Sequence, residues 1–150
     1  MVEIERPGDH HTVNRAELAR AGRWRRQMRP ADQRLTAGDL DGAARALALV
    51  DEIHGYIGER QDYAWLLESI RRRRQKPADE LNLPEVLLYR GVDDQLLRFG
   101  PRRAARALSA HRFAVRSVRD YERYERVLEG MLLRRQQDLL EREERAIEKG

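Results

Sequence analysis

Residues 101–126 read PRRAARALSAHRFAVRSVRDYERYER, and Pro101 suits the first turn of a helix, where its missing N–H has no partner to lose. Placed at about 100° per residue, the arginines of this stretch fall within one arc of about 160°, opposite small and apolar residues. The arginines of this arc are Arg102, Arg106, Arg112, Arg116, Arg119, Arg123 and Arg126. The pattern predicts a helix with one packing face and one arginine stripe.

The helix that begins at Pro101 is expected to continue almost to Lys149. Its apolar seam extends through Leu128 and Leu132, and an unbroken helix of this length measures about 70 Å. A bend or a change of packing partner is expected near Glu122, which lies close to the seam.

Composition favours helices in the rest of the chain as well. Leu, Ala, Arg and Glu dominate, whereas β-branched and aromatic residues are sparse. A strong helix is predicted to begin near Asp39, because apolar residues recur every three or four positions from Leu40 to Ile57. The sequence predicts one all-α domain, residues 1–150: a bundle of about five or six helices, with an irregular arm at 1–12 and a long C-terminal helix at 101–149.

Several features limit where the protein works. The chain contains no cysteine, which excludes disulfides and thiolate metal sites. Its longest apolar run, residues 46–50, is far too short to span a membrane. The first residues, MVEIERP, lack the basic-then-apolar order of a signal peptide. A cytoplasmic protein without membrane contact is therefore expected.

Charge is segregated along the chain, although the formal net charge is only +4. Residues 98–119 hold seven arginines and no acid, and residues 71–76 hold four arginines and one lysine. Acids are concentrated in residues 35–68 and 79–94. Such blocks either pair inside the fold or present separate basic and acidic surfaces. Arginine binds phosphate and carboxylate by planar, bidentate contacts, although a GC-rich genome also explains an excess of arginine over lysine.

Three basic clusters are candidate nucleic-acid contacts. Their residues are Arg102, Arg106, Arg112, Arg116, Arg119 and Arg123 in the stripe, Arg71, Arg72, Arg73, Arg74 and Lys76 at a helix end, and Arg23, Arg25 and Arg26 around Trp24. Spaced arginines match phosphates, and an exposed tryptophan stacks on a base. Each cluster has an alternative interpretation. The stripe pairs with the acidic blocks, the cations at the helix end stabilise its C-terminus, and the tryptophan is buried in the core.

Catalytic and metal-binding motifs are missing from the sequence. None of the four histidines belongs to a metal-ligand spacing, and His54 and His111 lie on predicted buried faces. No serine lies in a nucleophile motif, and no glycine-rich phosphate loop is present. The adjacent Asp93 and Asp94 diverge by about 100° on a helix, so they do not form an acid–base pair. We expect no enzyme activity, no metal or cofactor and no small-molecule substrate.

The sequence favours a non-catalytic, sequence-nonspecific subunit that binds the phosphate backbone of RNA or DNA within a larger assembly. A small helical subunit of an RNA-guided ribonucleoprotein complex has this profile, and so does a viral DNA-packaging component, but both are analogies of class. The alternative is a structural adaptor or homo-oligomeric coiled-coil component, for example of viral packaging or head–tail type, that binds acidic protein partners. Protein partners or self-association are expected in either case.

Overall fold

The chain forms six helices joined by short connections. A computed structural model describes residues 7–76 and 84–149, with side chains from residue 15 onward. The helices are α1 (Pro7–Thr36), α2 (Leu40–Ala48), α3 (Ile57–Gln75), α4 (Pro84–Phe99), α5 (Pro101–Ser109) and α6 (Val118–Lys149). No strand occurs in these two ranges, so the prediction of an all-α fold with a long C-terminal helix is confirmed. None of the described helices is both long and apolar enough to cross a membrane.

A single hydrophobic core connects the helices. α1 packs mainly on α2, α4 on α5, and α6 on both α5 and α3. Leu47 and Val50, which belong to the apolar pattern from Leu40 to Ile57, are buried as that pattern predicts. The stripe that contains them is not one helix, however, because α2 ends at Ala48 and the chain re-enters a helix only at Ile57.

The first helix is longer than the sequence indicated. Residues 7–12, expected as part of an irregular arm, form the first turns of α1, and residues 1–6 lie outside the described part. Pro7 occupies the first helical position, where proline is well tolerated. Pro30 lies inside the helix, between the fully buried Met28 and Ala31, whose packing holds the helix through the proline.

The predicted unbroken helix 101–149 is two helices. A turn formed by residues 110–117 separates α5 from α6. The hydroxyl of Ser117 accepts a hydrogen bond from the backbone N–H of Asp120 at 3.2 Å, which caps the first turn of α6. The helical periodicity of the segment continues through this turn, so the periodicity gave no sign of the break.

Folding α6 back along α5 buries apolar residues that a straight helix would expose. The end of α5, residues 105–109, shares a cleft with residues 125–129 of α6, while Pro101 at its start lies near Met131. The two helices therefore run antiparallel. Leu108 and Leu128 are 2% and 1% exposed, and burying one leucine contributes about 1.5–3 kcal/mol.

A buried ion pair ties α1, α3 and α6 together. Arg134 of α6 donates two hydrogen bonds to the carboxylate of Asp32 on α1, at 2.7 and 3.0 Å. The hydroxyl of Tyr63 on α3 donates to the same carboxylate at 3.0 Å. Burial raises the pKa of Tyr63 well above its ordinary value, so the hydroxyl remains a hydrogen-bond donor at neutral pH.

The junction between α4 and α5 depends on Gly100. Its φ of +103° and ψ of −175° lie in a region that is open essentially to glycine alone. Its N–H donates to the carbonyls of Gln95 and Leu96 at 3.1 and 3.0 Å, which closes α4, and Pro101 begins α5 directly afterwards. Gly100 therefore sets the direction in which α5 leaves α4.

We predict that Gly100→Ala lowers the free energy of unfolding by about 1–3 kcal/mol, because alanine is strained at this φ and ψ. Gly91→Ala is the matched control, since Gly91 is exposed in the middle of α4 with open space where a side chain would lie. It is expected to raise the free energy of unfolding by about 0.5–1 kcal/mol. Urea denaturation followed by circular dichroism measures both, and equal effects of the two substitutions would contradict the argument.

Candidate functional site

The structure divides the arginines into two groups. In the first group the guanidinium is paired with a carboxylate, often at an interface between helices. In the second group the side chain is exposed and has no carboxylate partner among the described residues. The second group is the more available to a polyanion, so this division ranks the three predicted clusters as candidate binding surfaces.

The cluster at the end of α3 is partly paired with carboxylates of the same protein. Arg71 and Arg72 both bind the carboxylate of Glu68, at 2.9 and 3.2 Å. Lys76 is partly buried, whereas Arg74 is exposed and has no carboxylate partner in residues 15–76 or 84–149. The sequence suggested a cluster of five equivalent cations, but these five side chains differ in exposure and in pairing.

Arg73 contributes to the core and is not a surface cation. Its guanidinium donates to both oxygens of Asp93 at 2.7 and 2.9 Å, and the hydroxyl of Tyr124 donates to the same carboxylate at 2.7 Å. It also lies 5.1 Å from the centre of the Tyr89 ring. Burial acts to lower the pKa of Arg73, but the hydrogen bond and charge of Asp93 outweigh it, and the pKa is raised. Arg73 therefore stays charged and paired.

Trp24 is a core residue. It is 3% exposed and stacks on Tyr56, with the ring centres 5.1 Å apart. A base has no access to either face of a ring buried to this extent. The interpretation of Trp24 as a stacking platform is therefore wrong, and the alternative reading, a core tryptophan, is confirmed.

The arginines around Trp24 differ from one another. Arg25 is paired with Asp138 and Glu141 of α6, so it joins α1 to α6. Arg23 and Arg26 are exposed, and neither forms an ion pair with a described carboxylate. Two exposed arginines on one helix make a weaker candidate than the denser group of arginines that begins at the end of α4.

The predicted arginine stripe is not a single helical face, because the turn at 110–117 interrupts it. Arg123 and Arg126, at its far end, both bind Asp62 of α3, at 3.1 and 3.3 Å. The guanidinium of Arg123 also lies 4.5 Å from the centre of the Trp65 ring. Arg123 was predicted to contact nucleic acid, but it holds α6 against α3 instead.

Residues 98–119 nevertheless form one stretch of chain rich in exposed arginines, which we call the arginine-rich segment. It comprises the end of α4, all of α5, the turn and the first residues of α6. All seven of its arginines are exposed, and none is paired with a carboxylate in the described part of the chain. They are Arg98, Arg102, Arg103, Arg106, Arg112, Arg116 and Arg119.

Two exposed phenylalanines accompany these arginines, and sequence reasoning missed both. Phe113 is 99% exposed in the turn between α5 and α6. Phe99 is 52% exposed, and the guanidinium of Arg103 lies 4.2 Å from the centre of its ring. A signal for Phe113 was present, because on a helical wheel it falls about 20° from Arg102, within the arginine arc.

The histidines and acids offer no metal centre in the described ranges, where no group of three His, Cys, Asp or Glu residues is placed to hold an ion. His54 and His111, expected on buried faces, are exposed, because α2 and α5 end before reaching them.

Comparison with known proteins reveals no relative, since no family model, curated protein or solved structure matches the chain.

The neighbours Arg73 and Arg74 test the division between paired and available arginines. We predict that Arg73→Gln lowers the free energy of unfolding by about 3–5 kcal/mol, because it leaves Asp93 buried without its cation. Arg74→Gln is expected to change it by less than about 0.5 kcal/mol. Chemical denaturation of the two variants measures the difference. Similar stabilities would show that the buried pair is not important to the fold.

Proposed function

We propose that the protein is a non-catalytic subunit that binds nucleic acid through the phosphate backbone, without sequence preference, as part of a larger assembly. The arginine-rich segment supplies the contacts. The observation that carries the proposal is that all seven arginines of this segment are exposed and none is neutralised by a described carboxylate.

Electrostatics makes this surface favourable for a polyanion. Like charges within one Debye length, about 8–10 Å, repel each other, and the nine residues of α5 span only about 14 Å. A chain of phosphates relieves the repulsion, and its binding releases condensed counterions. Because these contacts reach the backbone and not the base edges, they give affinity without sequence preference.

The exposed aromatic rings favour a single strand over a duplex. Bases of a single strand stack on aromatic side chains whatever their identity. Phe113 lies in the same turn as Arg112 and Arg116, so one short loop presents both a stacking surface and phosphate contacts. In a duplex the base faces are already stacked and are closed to Phe113.

The second half of α6 supports the adaptor as a second candidate function. Leu133, Leu140 and Ile147 are spaced by seven residues and are 55%, 52% and 79% exposed. An apolar spacing of seven is typical of helices that pack on another helix. The two candidates are compatible, since the arginine-rich segment can bind nucleic acid while α6 joins a partner or a second copy.

The salt dependence of binding tests the leading proposal. For a single strand, log K falls with log salt at a slope of about −0.7 per phosphate contact. Arg112→Gln with Arg116→Gln is therefore expected to flatten the slope by about 1.4 and to weaken binding to all sequences alike. Fluorescence anisotropy with labelled oligouridine and oligothymidine, over a series of salt concentrations, measures the slope.

The matched control is Arg71→Gln with Arg72→Gln, because both of these arginines already bind Glu68. Its slope is expected to equal that of the original protein. An unchanged slope in the Arg112/Arg116 variant, with helicity intact, would contradict the proposal. Unchanged binding together with loss of self-association would support the adaptor.

A further inference from the structure

A cavity of about 430 Å³ opens beside the arginine-rich segment. It lies between α1, the junction of α4 and α5, and the middle of α6, with Gly100 and Pro101 at the junction and Met131 of α6 in its wall. This volume is within the range of about 300–1,000 Å³ that small-molecule sites occupy. Arg98 and Phe99 belong both to the cavity lining and to the arginine-rich segment, so the two surfaces are continuous.

The charge of the lining selects an anion. Two aspartates line the cavity, but Asp32 is paired with Arg134, and Asp138 is paired with Arg29 at 2.6 Å. Three further arginines line it, are exposed and have no carboxylate partner in the described ranges. They are Arg98, Arg135 and Arg142. The cavity therefore keeps a net positive charge of about three after its internal pairs are formed.

The same cavity exposes apolar surface. Phe99 and Leu139 both line it and are 52% and 51% exposed. Apolar side chains gain free energy when a ligand removes them from water, and an aromatic ring adds a stacking surface. The occupant therefore has an anionic part and a flat apolar part, held close together.

We propose that this cavity binds one nucleotide unit of the bound strand, with the base against Phe99 and Leu139 and the phosphate held by Arg98, Arg135 and Arg142. The inference rests on the proposed function and makes it more specific, because it adds a discrete nucleotide site to a diffuse basic surface. A base and a phosphate are joined within one nucleotide, which matches the mixture of cations and apolar side chains in the lining. The remainder of the strand then continues along α5 toward Phe113.

Calorimetric titration with adenosine monophosphate, adenosine and inorganic phosphate tests this site directly. Adenosine monophosphate is expected to bind more tightly than either fragment. Arg135→Gln with Arg142→Gln is expected to weaken its binding by about tenfold or more, since charge-assisted contacts to phosphate are strong. Phe99→Leu is expected to weaken the binding of adenosine monophosphate but to leave the binding of inorganic phosphate unchanged.

Arg71→Gln with Arg72→Gln is the control, because these residues lie outside the cavity and already bind Glu68, so mononucleotide binding is expected to stay unchanged. Absence of binding, or equal binding to the Arg135/Arg142 variant, would overturn the proposal. Phosphate binding as tight as that of the mononucleotide would also overturn it, because the site would then recognise an anion only. If the Arg135/Arg142 variant does not fold, amide NMR of the original protein decides, with Phe99 and Gly100 expected to shift on addition of the mononucleotide.

These results separate the two proposals. A strand that binds with the expected salt slope, while adenosine monophosphate does not bind, overturns the cavity and leaves the proposed function intact. A mononucleotide that binds in the cavity, while no strand binds, supports the site and contradicts the proposed function.

Discussion

The fold depends on pairing between arginines and carboxylates across helix interfaces. One example joins Arg134 to Asp32, and residues on three helices share that carboxylate or its partner. An unpaired charge in such a place costs several kcal/mol, so each of these arginines requires its acid. Removing one partner of the pair leaves a buried charge and strongly destabilises the fold. Replacing both partners with apolar residues of similar volume would cost far less.

This pairing also determines which parts of the protein surface are basic. Asp93 and Asp62, which come from the acidic blocks of the sequence, are used to neutralise Arg73, Arg123 and Arg126 at helix interfaces. No carboxylate of the described chain forms an ion pair with an arginine of residues 98–119, although Glu85 accepts a hydrogen bond from the backbone N–H of Arg116 at 3.3 Å. A modest net charge of +4 therefore coexists with a strongly basic local surface.

Local sequence predicted the helices well and their limits less well. The apolar pattern from Leu40 to Ile57 correctly indicated that Leu47 and Val50 are buried, because the spacing of apolar residues is a local property of the sequence. A helical wheel assumes a continuous helix. Here the chain leaves the helix at residues 110–117, and the hydroxyl of Ser117 caps the helix that follows. Local patterns do not predict which arginines are paired. Arg134 and Asp32 are 102 positions apart, and the sequence around each does not distinguish it from an exposed residue.

The proposed function requires that the arginines paired in the fold and the arginines that bind nucleic acid are separate groups. Two-dimensional ¹⁵N–¹H NMR of the arginine Nε–Hε groups, recorded while a single-stranded oligonucleotide is added, tests it most directly. Signals of Arg106, Arg112 and Arg116 are expected to change, while those of Arg73 and Arg134 are expected to stay in place. Changes at Arg73 and Arg134 with none in the arginine-rich segment, or no change at any arginine, would contradict it.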